Sequence, residues 1–71
     1  MFKEKVGKRI KELREIKCGL NQKNFLKKTG LDKSYISIVE AGKQNITLTT
    51  LENICSALGV SLMEFFYSID G

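Results

Sequence analysis

The chain has 71 residues, of which 28% are charged, and it contains neither proline nor histidine. A chain of this length forms one domain over residues 1–71 and has no room for a deep catalytic cleft. The formal net charge is +4, yet all 12 basic residues lie in residues 1–43, whereas residues 44–71 contain acids and no base. A polyanionic partner would therefore meet the first part, although a basic excess alone is as typical of a solvated surface.

The first segment has apolar side chains at helical spacing. They predict a helix over residues 3–17 with one buried stripe, formed by Phe2, Val6, Ile10, Leu13 and Ile16. Its other face is largely basic.

Two short helices are predicted next, joined by a tight turn. In the first, Asn21 is a candidate N-cap and Gly30 ends the helix; in the second, Asp32 and Gly42 have the same roles. Two helices joined in this way allow one to brace the other in a DNA major groove.

The second of these helices has two different faces. Ile36 and Val39 share an apolar face, and the opposite face is small and polar, with Lys33, Ser34, Ser37 and Ala41. One face is suited to packing and the other to approaching a partner.

Two further helices follow a polar loop over residues 43–47. Leu48, Leu51, Ile54, Cys55 and Leu58 form the stripe of the fourth, for which Thr47 is preferred over Thr49 as the cap. The fifth begins with a capping box at Ser61 and Glu64. It then presents Phe65, Phe66, Tyr67 and Ile69, which is more apolar surface than one small domain is expected to bury.

Several short motifs follow one another in a fixed order from Gly7 to Phe66: residues 9–14, 19–22, Gly30, residues 36–37, 40–43 and 57–61. This ordered set resembles the phage-repressor and Cro type of helix-turn-helix domain. Within that family the chain is most similar to the controller proteins of bacterial restriction-modification systems. The resemblance implies an all-α, compact five-helix domain of the lambda-repressor-like fold.

The chain departs from the family pattern at two places. The connection at residues 17–19 is one residue longer, and Leu26 stands where the family usually has Ala at a close contact between the second and third helices. The larger side chain has to be accommodated by a changed crossing angle or a smaller neighbour.

The resemblance also implies a set of functional residues. Arg14 would pair with Glu40, joining the first helix to the third. Base edges would be contacted by Lys33, Ser34, Tyr35, Ser37 and Ile38, with Tyr35 alternatively a partly buried packing residue. DNA phosphates would be contacted by Gln22, Lys43, Gln44 and Asn45.

The implied protein is a transcriptional regulator in the cytoplasm that binds a pseudo-palindromic DNA operator as a homodimer. RNA polymerase is a further expected partner. The proposed self-complementary surface lies at the C-terminal end and consists of Leu62, Phe65, Phe66 and Ile69.

Other classes of function fit less well. An antitoxin or protein-interaction module could use the same fold, but no toxin-binding tail is evident. An enzyme is the least favoured class, and no cofactor or metal is expected, because no constellation of catalytic residues is present. Cys18 and Cys55 are interpreted as free thiols, Cys55 as a small buried side chain.

Overall fold

The computed structural model describes residues 2–17, Gly19 and residues 21–67. Five α-helices account for most of this part of the chain, and no strand occurs in it. In chain order they are α1 (Phe2–Glu12), α2 (Gln22–Thr29), α3 (Lys33–Glu40), α4 (Leu48–Leu58) and α5 (Leu62–Phe66). The all-α, five-helix prediction is confirmed.

A π-helical segment over Leu13–Lys17 continues α1, and here the predicted stripe is wrong. Hydrogen bonds from i to i+5 place an additional residue in the turn, so positions after Leu13 no longer follow the 3.6-residue period. Ile16 is consequently 81% exposed, while Val6, Ile10 and Leu13 are buried. Such a turn fits a connection one residue longer than the family pattern. Phe2, at the other end of the stripe, is 64% exposed.

The helix boundaries follow the predicted signals with one exception. Asn21 accepts a hydrogen bond from the Asn24 amide, Thr47 from the Thr50 amide, and the capping box between Ser61 and Glu64 is complete. Asp32 occupies the N-cap position of α3, but its side chain makes no capping hydrogen bond. The start of α3 therefore depends on packing rather than on that carboxylate.

The core brings together side chains from all five helices. The largest fully buried ones come from α1 to α5 in turn: Ile10, Phe25, Ile36, Val39, Ile54 and Phe65. The complete burial of Phe65 corrects its assignment to an association surface, since its ring is already surrounded by its own domain. Ile69 and Cys18 lie outside the described residues.

Cys55 is a buried free thiol, as the sequence indicated. Burial raises the pKa of this thiol, and the nearby Glu52 carboxylate adds to the effect. Because the thiolate is the reactive form, the buried Cys55 thiol is expected to be unreactive and to serve as an apolar side chain of the core.

The backbones of α1 and α3 approach each other closely at Gly7. A Cβ atom added there would collide with the carbonyl oxygen of Val39. The end of α3 lies equally close to α1, because a Cβ at Gly42 would lie 2.8 Å from the Cα of Glu4. Gly42 also has a φ of 76°, a left-handed conformation that favours glycine. The contact between α1 and α3 thus depends on two positions without side chains.

Side-chain hydrogen bonds join the remaining helices. Arg9 of α1 donates from Nε to the carbonyl oxygen of Phe65 (3.0 Å) and from Nη2 to that of Glu64 (3.1 Å), which satisfies acceptors at the end of α5. Asn53 of α4 donates from Nδ2 to the carbonyl oxygen of Thr29 (2.9 Å), at the end of α2. These contacts hold α5 against α1 and α4 against the end of α2.

Replacing Gly7 by Ala is expected to destabilise the domain by roughly 1–3 kcal/mol, because α1 must move away from the Val39 carbonyl. This loss outweighs the gain of up to about 1 kcal/mol in helix propensity. Urea unfolding measures the difference.

Lys8→Ala is the matched control, because Lys8 is the exposed next residue of the same helix. Its effect should stay within about 0.5 kcal/mol. A stabilised Gly7→Ala variant would show that α1 and α3 are not in close contact.

Candidate nucleic-acid interface

The outer face of α3 is exposed and continuous. Lys33, Ser34 and Ser37 are exposed, and Ile38 is 44% exposed, whereas Ile36 and Val39 on the opposite side are almost completely buried. Residues four apart lie above one another on a helix, so Lys33 neighbours Ser37, and Ser34 neighbours Ile38. The face offers one cation, two hydroxyl groups and one apolar side chain, all of which can approach a partner.

Tyr35 is half-buried and packs against the hydrophobic core. Its position supports the alternative that the sequence left open, a packing role, while part of the side chain is still accessible. Among the five predicted base-contacting residues it is the one anchored in the core.

The relative position of α2 and α3 is fixed at the turn between them. The Thr29 hydroxyl donates to the carbonyl oxygen of Leu26 (3.3 Å) and accepts from the amide of Leu31 (3.2 Å). At the other end of the pair, Gln22 Nε2 donates to Ser37 Oγ (3.4 Å). Gln22, a predicted phosphate contact, therefore lies beside the exposed face of α3.

The predicted ion pair between Arg14 and Glu40 is present. Arg14 Nε lies 2.8 Å from Glu40 Oε2 and Nη2 lies 3.1 Å from Oε1, so the guanidinium contacts both carboxylate oxygens. Each side chain is only 7% exposed. The hydrogen bonds to Glu40 raise the pKa of Arg14 above its ordinary value, although burial opposes them. Arg14 therefore stays charged and holds the last residue of α3 against the π-helical segment.

The loop after α3 carries the other predicted phosphate contacts. Lys43, Gln44 and Asn45 are all exposed, and the amide of Lys43 donates to the carbonyl oxygen of Ile38 (3.2 Å). This hydrogen bond joins the loop to α3. Candidate phosphate contacts consequently lie beside α3 on two sides, at Gln22 and in the loop.

A crevice between α2 and α3 was not anticipated from the sequence. It has a volume of about 340 Å³ and is lined by Gln22, Lys23, Leu26 and Lys33. Leu26 is half-buried there and also packs against the core. The unusual Leu in place of Ala was the sequence signal for this crevice, although it predicted only a tight contact between the two helices.

A second apolar feature, called here the apolar patch, lies away from this crevice and consists of Phe2, Ile46, Leu48 and Phe66. These residues line a cavity of about 230 Å³ whose rim includes Gln44 and Asn45. The rings of Phe2 and Phe66 stack with centroids 6.1 Å apart, and Leu48 is 62% exposed. Of the residues predicted for self-association that lie in the described part of the chain, Phe66 belongs to the patch, and Leu62 is half-buried in α5 one helical turn before it.

The described residues contain no cluster of His, Cys, Asp and Glu side chains with an arrangement that could hold a metal ion. Nor is any helix in that part of the chain long and apolar enough to span a bilayer.

The fold and the exposed α3 face define a helix-turn-helix domain, and the chain belongs to the helix-turn-helix family, whose model matches residues 10–65. It is 40% identical over 69 residues to the control protein C.MunI from a Mycoplasma species, with 97% of this chain and 93% of that protein covered. The resemblance to controller proteins, predicted from short motifs, is thereby confirmed.

Solved structures of restriction-modification controller proteins have the same fold. C.Esp1396I, determined as a tetramer in complex with its natural 35-base-pair operator, has a TM-score of 0.89 and 34% identity, covering 99% of this chain and 91% of that one. C.AhdI from Aeromonas hydrophila has a TM-score of 0.83 and 37% identity, covering 92% and 97%.

Replacing Arg14 by Ala should lower the free energy of unfolding by about 3 kcal/mol, because Glu40 is then left buried and uncompensated. Urea or thermal unfolding measures the loss. A loss below about 0.5 kcal/mol would contradict a buried pair.

The matched control is Glu15→Ala. Glu15 also pairs with Arg14, at 3.5 Å, but its side chain is 51% exposed. Removing it should change stability by no more than about 0.5 kcal/mol.

Proposed function

We propose that the chain is a sequence-specific DNA-binding transcriptional regulator of the restriction-modification controller type, which binds an inverted-repeat operator as a homodimer. The observation that carries this proposal is the exposed face of α3, held by Ile36 and Val39 in the core and by Arg14 at Glu40. The similarity of the whole fold to operator-bound C.Esp1396I, which covers 99% of this chain, supports the same conclusion.

The α3 face can discriminate bases by ordinary major-groove chemistry. Lys33 can donate to the acceptors N7 and O6 of guanine, and the hydroxyls of Ser34 and Ser37 can donate or accept. Ile38 can pack on a thymine methyl group. Lys33, at the exposed start of α3, is the strongest candidate because it contributes charge as well as hydrogen bonds.

Phosphate contacts would set the register of α3 without identifying the sequence. The backbones that border the groove would be contacted by Gln22, which lies beside Ser37, and by the exposed loop residues Lys43, Gln44 and Asn45. In this arrangement specificity and general affinity reside in different residues, so substitutions can separate them.

Dimer formation is proposed because one domain places too few side chains on bases. Three or four contacts at roughly 1–3 kcal/mol each do not select one site from a genome of competing sequences. The apolar patch around Phe66 is the surface proposed for pairing, and a twofold axis there would repeat the same contacts in both directions. The recognition helices would lie about 34 Å apart, one turn of DNA.

RNA polymerase is proposed as a further partner of the DNA-bound dimer, since a transcriptional regulator changes the activity of that enzyme.

Lys33→Ala should weaken specific binding by roughly 1–3 kcal/mol and relax the preference at one position of each half-site. Lys43→Ala should instead weaken binding to all sequences alike and reduce the salt dependence of binding by about one charge. Titration of operator and random duplexes at several salt concentrations distinguishes the two. If both variants lose the same affinity for operator and random duplexes, α3 does not contact the base edges.

Phe66→Glu should give a monomer whose operator affinity falls to that of a single half-site, because a carboxylate cannot be buried in the apolar patch without a partner. Sedimentation at micromolar concentration measures the oligomeric state, and thermal unfolding checks the fold.

Met63→Glu is the control for the same helix. Met63 is 81% exposed and lies outside the apolar patch, so this variant should stay dimeric. A wild-type chain that is strictly monomeric and yet binds its operator tightly would refute the dimer. Such a result would favour the alternative that the patch binds a different protein, as in an antitoxin.

A further inference from the structure

We propose that Leu26 contributes to sequence recognition by accepting the C5-methyl group of a pyrimidine in the crevice between α2 and α3. The inference rests on the proposed function and adds one position to the recognised sequence. Leu26 belongs to α2, whereas all the base contacts proposed above belong to α3.

The location of the crevice is the first reason. Its lining residues Gln22 and Lys33 belong to the proposed phosphate and base contacts, respectively. Gln22 in turn contacts Ser37 on the exposed face of α3. A DNA backbone and groove that meet these residues would therefore cover Leu26 as well.

The chemistry of the crevice is the second reason. Leu26 supplies an apolar wall, and the aliphatic stems of the two lysines can extend it while their ammonium groups remain in solvent. The occupant must therefore be apolar where it meets Leu26 and anionic around that point. In the major groove, the pyrimidine C5-methyl group beside the phosphate backbone has this combination.

Partial burial makes the interaction specific to a small group. Leu26 is half-buried and packs against the core, so only part of its side chain is available in the crevice. A methyl group can be covered by that remaining surface, whereas a polar substituent at the same place would lose water without gaining a hydrogen bond from leucine.

The methyl group could come from thymine or from 5-methylcytosine, and DNA analogues separate these sources. A site is first selected from a random pool with the wild-type protein. One position at a time, thymine is then replaced by deoxyuridine or cytosine by 5-methylcytosine. Each replacement is made symmetrically in both half-sites. Binding of every duplex is measured for the wild type and for Leu26→Ala.

For a thymine source, one deoxyuridine position should weaken wild-type binding about fourfold per half-site, the effect of one buried methyl group. The Leu26→Ala variant should be indifferent to that replacement. For a 5-methylcytosine source, one methylated position should strengthen wild-type binding by the same factor and leave the variant unchanged. Either result supports the proposal.

Two further variants keep the test decisive. Leu26→Met keeps an apolar side chain of similar volume and should retain the sensitivity to the methyl group, even if Leu26→Ala loses stability in a thermal melt. Ile38→Ala removes the exposed apolar side chain of α3 instead. This variant should become indifferent to the loss of a thymine methyl group at a different position of the site.

The proposal is overturned if the wild type responds to no methyl group except those that Ile38 accounts for, or if Leu26→Ala responds like the wild type at every position. Failure of the proposed function looks different: the wild-type protein would then select no common sequence from the random pool at all.

Discussion

The position of α3 depends on the ion pair between Arg14 and Glu40. Arg14 contacts both carboxylate oxygens, and both side chains are nearly excluded from solvent. The pair has two consequences. It holds the end of α3 against the π-helical segment, and it neutralises a carboxylate at the end of a helix that is proposed to approach phosphates. An unpaired Glu40 would cost desolvation in the protein and would also repel DNA.

With its end held by this pair, α3 can use its outer face for function. It has only eight residues, a length at which an isolated helix is not stable in water. Packing of Ile36 and Val39, together with the close approach of α1 at Gly7, supplies the missing stability. The exposed residues then need not be strong helix formers. Serine and the β-branched Ile38 can therefore occupy the outer face of α3.

Local signals in the sequence predicted most of this architecture because they act over one helical turn. Asn21, Thr47 and the Ser61–Glu64 capping box mark helix starts through bonds to nearby amides. Burial was predicted wrongly where tertiary packing determines it. Ile16 fits the apolar period but follows a π turn, and Phe65 is apolar but already buried. The crevice at Leu26 is formed by residues of two helices, so the unusual Leu marked its position but no local pattern predicted its shape. The ion pair was predicted only through the family resemblance.

The distribution of charge and apolar surface is consistent with one domain making two kinds of contact. All basic residues precede Gln44, and those proposed to meet DNA lie on α3 and the loop after it. The apolar patch includes the Phe2–Phe66 stack, and its cavity is bordered by Gln44 and Asn45 of that same loop. The loop is thus shared by the two surfaces. If a second copy covers the patch, it restricts the loop as well, and ordering these residues before DNA arrives lowers the entropic cost of their phosphate contacts. Pairing would then strengthen DNA binding both by doubling the number of base contacts and by preparing each copy to make them.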